Sequence, residues 1–169
     1  ALQRLSNTFY VYSVVKWGTV CYSKVYANPG LALTESSGIR VRALNIAKPG
    51  ETASGDGFEI TLSPGHTNIF LGDGLGHGKE AHNALQAALA NFRTCKGEDP
   101  ARSLKIIHEL VKKTRGLVGT IVTIDHLLKK WRICGIGNIA TRICEGLLTK
   151  SYMSYNGIIG LRIPVDCKN

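Results

Sequence analysis

The stretch Asn68-Ile69-Phe70-Leu71-Gly72-Asp73-Gly74-Leu75-Gly76-His77-Gly78 passes from a short apolar strand into a loop with four glycines. A long helix is predicted directly after it, because apolar residues recur there at helical spacing. These residues are Ala81, Ala84, Leu85, Ala88, Leu89 and Phe92. The order strand, glycine loop, helix places Asp73 at the end of a strand and at the entrance to a tight loop.

A second aspartate stands in a similar setting upstream. Gly57 to Leu62 is predicted as a strand, and Ser63-Pro64-Gly65-His66 is typical of the turn that joins it to the next strand. If the two strands pair, Asp56 and Asp73 face one another. Two close carboxylates repel unless a cation lies between them, so the pair suggests a site for Mg²⁺ or Mn²⁺. Ordinary Asp-Gly turns remain the alternative, above all for Asp56.

The N-terminal third is predicted to be mainly strand. Alternation predicts a half-buried strand over 9–17, with Phe9, Val11, Ser13, Val15 and Trp17 on one face. Further strands are predicted from Val20 to Tyr26 and over 39–43, separated by the breaker Asn28-Pro29-Gly30.

The C-terminal half is predicted to contain one more helix and then strands. Asp99-Pro100 is typical of a helix start, and that helix is expected to run to about Arg115. The predicted strands are Leu117–Ile124, Lys130–Ile136, Ile139–Glu145 and Ile158–Ile163, with a hairpin turn at Gly137-Asn138. The order of strands, two helices and strands indicates a layered α+β domain rather than a doubly wound fold.

Composition narrows the kinds of partner. The chain has 169 residues, of which 44% are hydrophobic, and a formal net charge of +9. A basic surface suits nucleic acid, an anionic membrane or an acidic protein. The basic residues are scattered, without a long run or interleaved aromatic residues, so we expect no nucleic-acid or membrane partner. A simple solvated surface and an acidic or phosphorylated protein partner both stay open.

The cysteines and the apolar stretches indicate a cytoplasmic protein. The five cysteines form no C-x-x-C pair and are expected to be reduced thiols rather than a zinc site. They are Cys21, Cys95, Cys134, Cys144 and Cys167. No apolar stretch has the length of a membrane span.

Nucleotide binding is the competing interpretation of the glycine loop. A strand, a glycine-rich loop and a helix together can hold a dinucleotide or a triphosphate. The spacing here is G-x-G-x-G-x-G rather than G-x-G-x-x-G, and Gly78-Lys79 is followed by Glu80 instead of Ser or Thr. The pattern therefore favours a cation site over a nucleotide site.

Four blocks of sequence resemble one family. Residues 54–58 (SGDGF), 72–81 (GDGLGHGKEA), 115–124 (RGLVGTIVTI) and 134–138 (CGIGN) are similar, in this order, to the type-2C or PPM metal-dependent protein phosphatases. The similarity is greatest to the SpoIIE-like branch and its small stressosome feedback phosphatases. The resemblance implies a four-layer α-β-β-α sandwich of two antiparallel sheets flanked by helices. We expect a single phosphatase domain over 1–169 that lacks its C-terminal strands.

The resemblance also implies a mechanism and a set of site residues. Asp56 and Asp73 would bind two Mn²⁺ or Mg²⁺ ions, with the backbone carbonyl of Gly74 as a further ligand. The ions would activate a water that attacks phosphorus. His77 would protonate the leaving oxygen or bind phosphate, with a simple exposed loop histidine as the alternative. The side chains that could line the site are Asn138 and Thr120, for which turn geometry and core packing are the respective alternatives. The substrates would be phosphoserine or phosphothreonine proteins of stress signalling.

One departure from the family keeps a second interpretation open. The family places further metal-binding aspartates later in the chain, one of them in an Asp-Gly motif, and these are not found here. Asp166 in Val-Asp-Cys lacks the motif. The alternative is therefore a catalytically degenerate module that keeps the phosphatase fold and binds its phosphoprotein partner.

Overall fold

A computed structural model describes residues 2–25, 41–95 and 99–166. The chain divides into two compact units, Ala1–Arg42 and Ala43–Asn169. The breaker at Asn28-Pro29-Gly30, Tyr26 and the first two residues of the strand expected over 39–43 lie outside the described residues. The single domain over 1–169 stays a prediction.

The first unit is a β-hairpin preceded by one helical turn. Helix α1 spans Leu2–Leu5, and strands β1 (Thr8–Val14) and β2 (Gly18–Lys24) pair antiparallel. Both strands were predicted, but the predicted burial of one face is wrong: Val11 is 54% exposed and Trp17, beyond the end of β1, is 65% exposed. Within a two-stranded hairpin, apolar side chains meet only their cross-strand neighbours, which leaves them largely in water.

The second unit consists of two helices, one four-stranded sheet and a separate hairpin. Its elements are β3 (Asp56–Ser63), β4 (His66–Gly74), α2 (Gly78–Phe92), α3 (Pro100–Leu110), β5 (Leu117–Asp125), β6 (Lys130–Ile136), β7 (Thr141–Glu145) and β8 (Leu148–Tyr152). The sheet has the order β3-β4-β5-β6 with every neighbouring pair antiparallel. Among the strands that the structure describes, β7 and β8 pair only with each other.

The core lies between the sheet and both helices. Helix α2 packs over β3 and β4, and α3 packs over β5 and β6. Phe70 of β4 and Phe92 of α2 are buried with ring centroids 5.4 Å apart. All six apolar residues that predicted α2 are buried, so its helical pattern is confirmed. The α+β class is likewise confirmed, while the four-layer sandwich stays a prediction.

Helix α3 begins as predicted and ends earlier. The Asp99 side chain accepts hydrogen bonds from the backbone N–H groups of Ala101 and Arg102, and Pro100 occupies the first turn. The helix was expected to reach about Arg115 but stops at Leu110. The Thr114 hydroxyl donates to the Val111 carbonyl at 2.7 Å and accepts from the Gly116 N–H at 3.1 Å. These local bonds replace helical ones and turn the chain into β5.

Three strand predictions are corrected. Residues 41–43 form no strand. The hairpin around Gly137-Asn138 is wrong, because the Gly137 N–H donates to the Tyr155 carbonyl at 2.8 Å and β7 pairs with β8 instead of β6. Ile158–Ile163 contributes isolated bridges rather than a strand. The Gly137 N–H and the backbone of Ile159 bond to segments that are distant in sequence, which leaves no local signal.

The four described cysteines are thiols, as predicted; Cys167 lies outside the described residues. Among the helices that the structure describes, none combines the length and apolar character needed to cross a bilayer.

His108 of α3 is a buried titratable group that forms a hydrogen bond with the segment after β8. The residue is 8% exposed, and its Nδ1 accepts a hydrogen bond from the Gly160 N–H at 2.9 Å. Desolvation by burial lowers the pKa of His108, against the opposing charge of Glu109, while Lys112 adds to the lowering. The folded protein therefore requires the neutral ring, because a protonated Nδ1 cannot accept.

We expect His108 to make the protein less stable in mild acid. Its pKa is lower in the folded state than the value of about 6.5 in the unfolded chain, so the unfolded chain binds the proton first. The contribution is complete above that value and declines as the pH falls below it. Urea midpoints at pH 7.5 and 5.5 should differ less in His108→Gln than in the unmodified chain. An identical pH dependence in both proteins would contradict this role.

Candidate metal centre at the paired Gly-Asp-Gly strands

Two copies of the tripeptide Gly-Asp-Gly meet in register at the same end of the sheet. Asp56 lies opposite Asp73, and Gly57 lies opposite Gly72. The Gly74 N–H donates to the Gly55 carbonyl at 2.9 Å, which makes the adjoining pair hydrogen-bonded. The aspartates therefore form a non-hydrogen-bonded pair, whose Cα atoms approach to about 4.5 Å and whose side chains lie closer together than in the other type.

The glycines of both tripeptides face helix α2. A Cβ on Gly57 would lie 2.6 Å from Cδ2 of Leu85, and one on Gly72 would lie 3.0 Å from Cδ1 of Leu85. A Cβ on Gly74 would collide with the carbonyl oxygen of Ala81. Side chains alternate between the two faces of a strand, so the aspartates between these glycines lie on the face opposite α2. The motif thus packs a helix and exposes a carboxylate pair at once.

The chain leading into β3 is fixed by short polar contacts. The Ser54 hydroxyl accepts from the Asp56 N–H at 3.0 Å, and the Asn45 amide donates to the Asp56 carbonyl at 2.6 Å. His82 of α2 contacts the Ser54 carbonyl through Nδ1 at 3.0 Å. No role was predicted for His82, and its contact ties the residues before Asp56 to the helix.

The electrostatics of the pair fit a bound cation. Partial desolvation raises the pKa of Asp73, and so do the charge of Asp56 and a hydrogen bond with its side chain. A carboxyl whose ionised form is disfavoured in this way gains when a divalent cation offsets the repulsion. Two adjacent carboxylates, whose oxygens are hard donors, suit Mg²⁺ or Mn²⁺.

The site offers few side-chain ligands for a metal ion. Within residues 2–25, 41–95 and 99–166, no group of three or more His, Cys, Asp or Glu side chains is placed to hold a metal. The pair accordingly fits one shared cation, with the remaining ligands from water or backbone. A second ion, and the Gly74 carbonyl as a ligand, stay predictions.

A cavity of ≈ 210 Å³ adjoins the two carboxylates. It is lined by Lys48, Ser54, Asp56, Asp73, Gly76 and His77, among others. His77, which sequence motifs placed at the site, has a side chain that is 63% exposed and lies 2.6 Å from Glu51 through Nδ1. Two carboxylates, one lysine and one histidine around one cavity can hold a cation and a phosphoryl group together.

Two residues of the expected site are found elsewhere. Asn138 is exposed in the bend after β6. Thr120 is 3% exposed in β5, opposite Leu71 and Gly135, and its hydroxyl has no hydrogen-bond partner within the described part of the chain. Neither lines the cavity beside the aspartates. Their role in lining the site remains a prediction.

Sequence reasoning missed Lys48 and Glu51. No role was predicted for either residue, and in the structure the Glu51 N–H donates to the Lys48 carbonyl at 2.9 Å across a turn through Pro49 and Gly50. Proline followed by glycine is the signal of a type II turn, and Gly50 has the required positive φ of 88°. The signal gives the turn, but its position beside the aspartates depends on tertiary packing.

Larger surface depressions occur elsewhere in the described structure. One of ≈ 440 Å³ is lined by Asp125, Trp131 and neighbouring basic residues. The Asp125 carboxylate already accepts from the backbone N–H groups of Leu127 and Leu128 and lies 3.3 Å from His66. This depression therefore offers a single, already engaged carboxylate, and the chemistry favours the smaller cavity.

The fold can be compared with those of known proteins. The chain shares the fold of PPM-type phosphatases of the SpoIIE-like branch, which confirms the resemblance carried by its motifs. No family model and no curated protein sequence matches the chain.

Three solved structures give the particulars. A chain from work on the bacterial stressosome, described as a modular system adapted to control secondary messenger signalling, is 28% identical with a TM-score of 0.67, covering 71% of this chain and 62% of its own. RsbX, solved in complex with magnesium, is 20% identical with a TM-score of 0.66, covering 73% and 62%. The PP2C phosphatase domain of SpoIIE from Bacillus subtilis, solved with a fragment of its regulatory domain, is 21% identical with a TM-score of 0.63, covering 72% and 38%.

The chain thus corresponds to 62% of the length of the first two of these structures. At 20% and 21% identity, the likeness to RsbX and SpoIIE concerns the fold.

Proposed function

We propose that this chain is the body of a metal-dependent protein serine/threonine phosphatase that acts on phosphoproteins of stress signalling. The observation that carries the proposal is the in-register pairing of Asp56 with Asp73 at one end of the sheet. The magnesium in the RsbX complex supports a divalent cation as the cofactor. A single phosphatase domain over 1–169 with a four-layer sandwich and a cytoplasmic location are part of the same proposal.

Each residue at the cavity has a role in this proposal. Asp56 and Asp73 hold Mn²⁺ or Mg²⁺, two ions in all, with the Gly74 carbonyl as a further ligand. When bound, the cations supply a nucleophile from water at neutral pH and offset phosphoryl charge. Lys48 adds a positive charge at the cavity wall and attracts the phosphoryl oxygens. His77 donates a proton to the leaving oxygen of serine or threonine.

The partner in this proposal is a phosphorylated signalling protein rather than nucleic acid or a membrane. An anti-sigma antagonist or a stressosome scaffold domain that carries phosphoserine or phosphothreonine is the expected substrate. The formal net charge of +9 favours encounter with an anionic protein surface. The similarity to a chain from work on the bacterial stressosome supports this class of partner.

A specific observation favours a second function. The cavity has a pair of aspartates, and among the described residues no group of three or more His, Cys, Asp or Glu side chains could hold a metal ion. The side chains at the cavity therefore supply fewer than three metal ligands. A catalytically degenerate binding module would retain the fold and the cavity, bind the phosphoprotein and leave its phosphate in place.

Phosphate release separates the two functions. We expect the purified chain to release inorganic phosphate from a phosphoserine-bearing anti-sigma antagonist when Mn²⁺ is added, and to stop when a chelator is added. A colorimetric phosphate assay measures the rate, and a pull-down with the same phosphoprotein measures binding. Binding without release in the presence of Mn²⁺ would favour the binding module. Release that survives chelation would contradict a metal-dependent mechanism.

A further inference from the structure

The turn Lys48-Pro49-Gly50-Glu51 brings a third acidic residue to the edge of the site. Its closing hydrogen bond, from the Glu51 N–H to the Lys48 carbonyl, measures 2.9 Å. Proline fixes one backbone angle, and Gly50 takes the positive φ that a side chain disfavours. The direction in which the Glu51 side chain leaves the backbone is therefore set by the turn.

The Glu51 carboxylate contacts His77 and Gly78 at the end of the glycine loop. Its Oε1 lies 2.6 Å from Nδ1 of His77. Its other oxygen, Oε2, occupies the space beside Gly78, where an added Cβ would lie 2.8 Å away. With Nδ1 engaged by Glu51, the orientation of the imidazole is fixed and Nε2 is the nitrogen that can exchange a proton.

We propose that Glu51 is a positioning residue that holds His77 so that Nε2 delivers its proton to the leaving oxygen of the substrate. This inference rests on the proposed phosphatase function. As the oxygen of water bonds to phosphorus, the bond between phosphorus and the serine or threonine oxygen breaks. That oxygen receives the Nε2 proton of the doubly protonated His77 ring, which is left neutral with its remaining proton on Nδ1 beside Glu51. The attacking water loses a proton to solvent, and Nε2 is reprotonated from solvent. The products are the free hydroxyl and inorganic phosphate.

A purely structural role for Glu51 makes a different prediction. His77 is the N-cap of α2 and makes no side-chain capping hydrogen bond. A carboxylate beside a helix N-terminus is favourable in itself. If Glu51 only stabilised the helix start, its loss would slow the hydrolysis of every substrate to the same degree.

The leaving group of the substrate separates the two roles. A serine alkoxide requires a proton as it leaves, whereas p-nitrophenolate does not. For Glu51→Ala we expect kcat on a phosphoserine protein to fall about tenfold or more, since partners that orient a functional side chain typically have effects of this size. On p-nitrophenyl phosphate, kcat should change by less than about twofold. Glu51→Gln retains an acceptor for Nδ1–H and should lie between the two proteins.

Glu80→Ala is the matched control. Glu80 is also acidic and lies in the first turn of α2, but it pairs with Arg115 at 3.2 Å rather than with His77. Its loss should leave the ratio of the two rates unchanged. Equal slowing of both substrates by Glu51→Ala, or the same change of ratio in Glu80→Ala, would overturn the positioning role.

Two measurements without turnover complete the test. In long-range ¹H–¹⁵N spectra of the metal-free protein, recorded at a pH where the ring is neutral, the single ring proton of His77 should lie on Nδ1 in the unmodified chain, and the tautomer should change in Glu51→Ala. The rise in melting temperature caused by Mn²⁺ should be the same in both proteins, since Glu51 is not a ligand. An unchanged tautomer, or loss of the Mn²⁺ response, would overturn the inference. Absence of phosphatase activity in the unmodified chain would instead contradict the proposed function, and the spectra would still test the contact.

Discussion

Asp73→Asn is expected to abolish Mn²⁺-dependent phosphate release and, in the same molecule, to raise the melting temperature of the metal-free protein. Loss of a carboxylate ligand should reduce kcat/KM by at least ~100-fold, because cation stabilisation of phosphoryl transfer is worth several kcal/mol. The opposite effect on stability follows from the raised pKa of Asp73. A carboxyl whose pKa is raised in the folded state destabilises the folded protein at pH values above its unfolded-state pKa. This penalty is relieved as the pH falls through the folded-state pKa.

Differential scanning fluorimetry with and without Mn²⁺ measures both consequences. The unmodified chain should melt at a higher temperature when Mn²⁺ is added, whereas Asp73→Asn should start higher and respond little. Asp125→Asn is the matched control. Its carboxyl has a lowered pKa, chiefly through the backbone N–H of Leu128, so its loss should lower the melting temperature and leave the Mn²⁺ response intact. A metal-free Asp73→Asn protein that melts lower than the unmodified chain would contradict the repulsion between the aspartates.

Gly74→Ala is expected to destabilise the fold more than substitution of any exposed glycine in a turn. The new methyl group would meet the backbone of Ala81 in α2, which cannot move aside as a flexible side chain does. Overpacking of this kind costs about 3 kcal/mol. Helix α2 would have to move away from β4, and the pairing of Asp56 with Asp73 would loosen with it.

Equilibrium unfolding in urea measures this cost, with Gly146→Ala as the control. Gly146 lies in the turn between β7 and β8 with a φ of 57°, and nothing lies within 4 Å of an added Cβ. Its substitution should cost only the backbone strain, about 1 kcal/mol. If the two variants lose the same free energy of unfolding, the claim that Gly74 is needed for the close packing of α2 on β4 is contradicted.

Local sequence signals were enough to predict the centre of this fold. The apolar spacing of α2 depends on residues within one helix, and the turn at Ser63-Pro64-Gly65-His66 fixes the register of β3 on β4. On the condition that these two strands pair, Asp56 was expected to face Asp73, and the structure places them opposite one another. The resemblance of the glycine loop to a phosphatase motif added His77, which lies at the same cavity.

The features that were missed are strand β8, which pairs with β7 across a short local turn, and contacts between distant parts of the chain. Strand β8 and the partner of β7 were not predicted, because the turn signal at Gly137-Asn138 is equally compatible with a chain that leaves the sheet. The Gly137 N–H is taken by Tyr155, which no local pattern reveals. Glu51 is separated from His77 by two strands, so a type II turn is visible in the sequence and its functional neighbour is not.

The central claim is that the carboxyl groups of Asp56 and Asp73 share one divalent cation. Anomalous diffraction from a crystal of the unmodified chain grown with Mn²⁺ tests it most directly. We expect a manganese peak between the two side chains, within bonding distance of an oxygen from each. An ordered manganese bound elsewhere, with these two carboxyl groups turned away from it and from each other, would contradict the account.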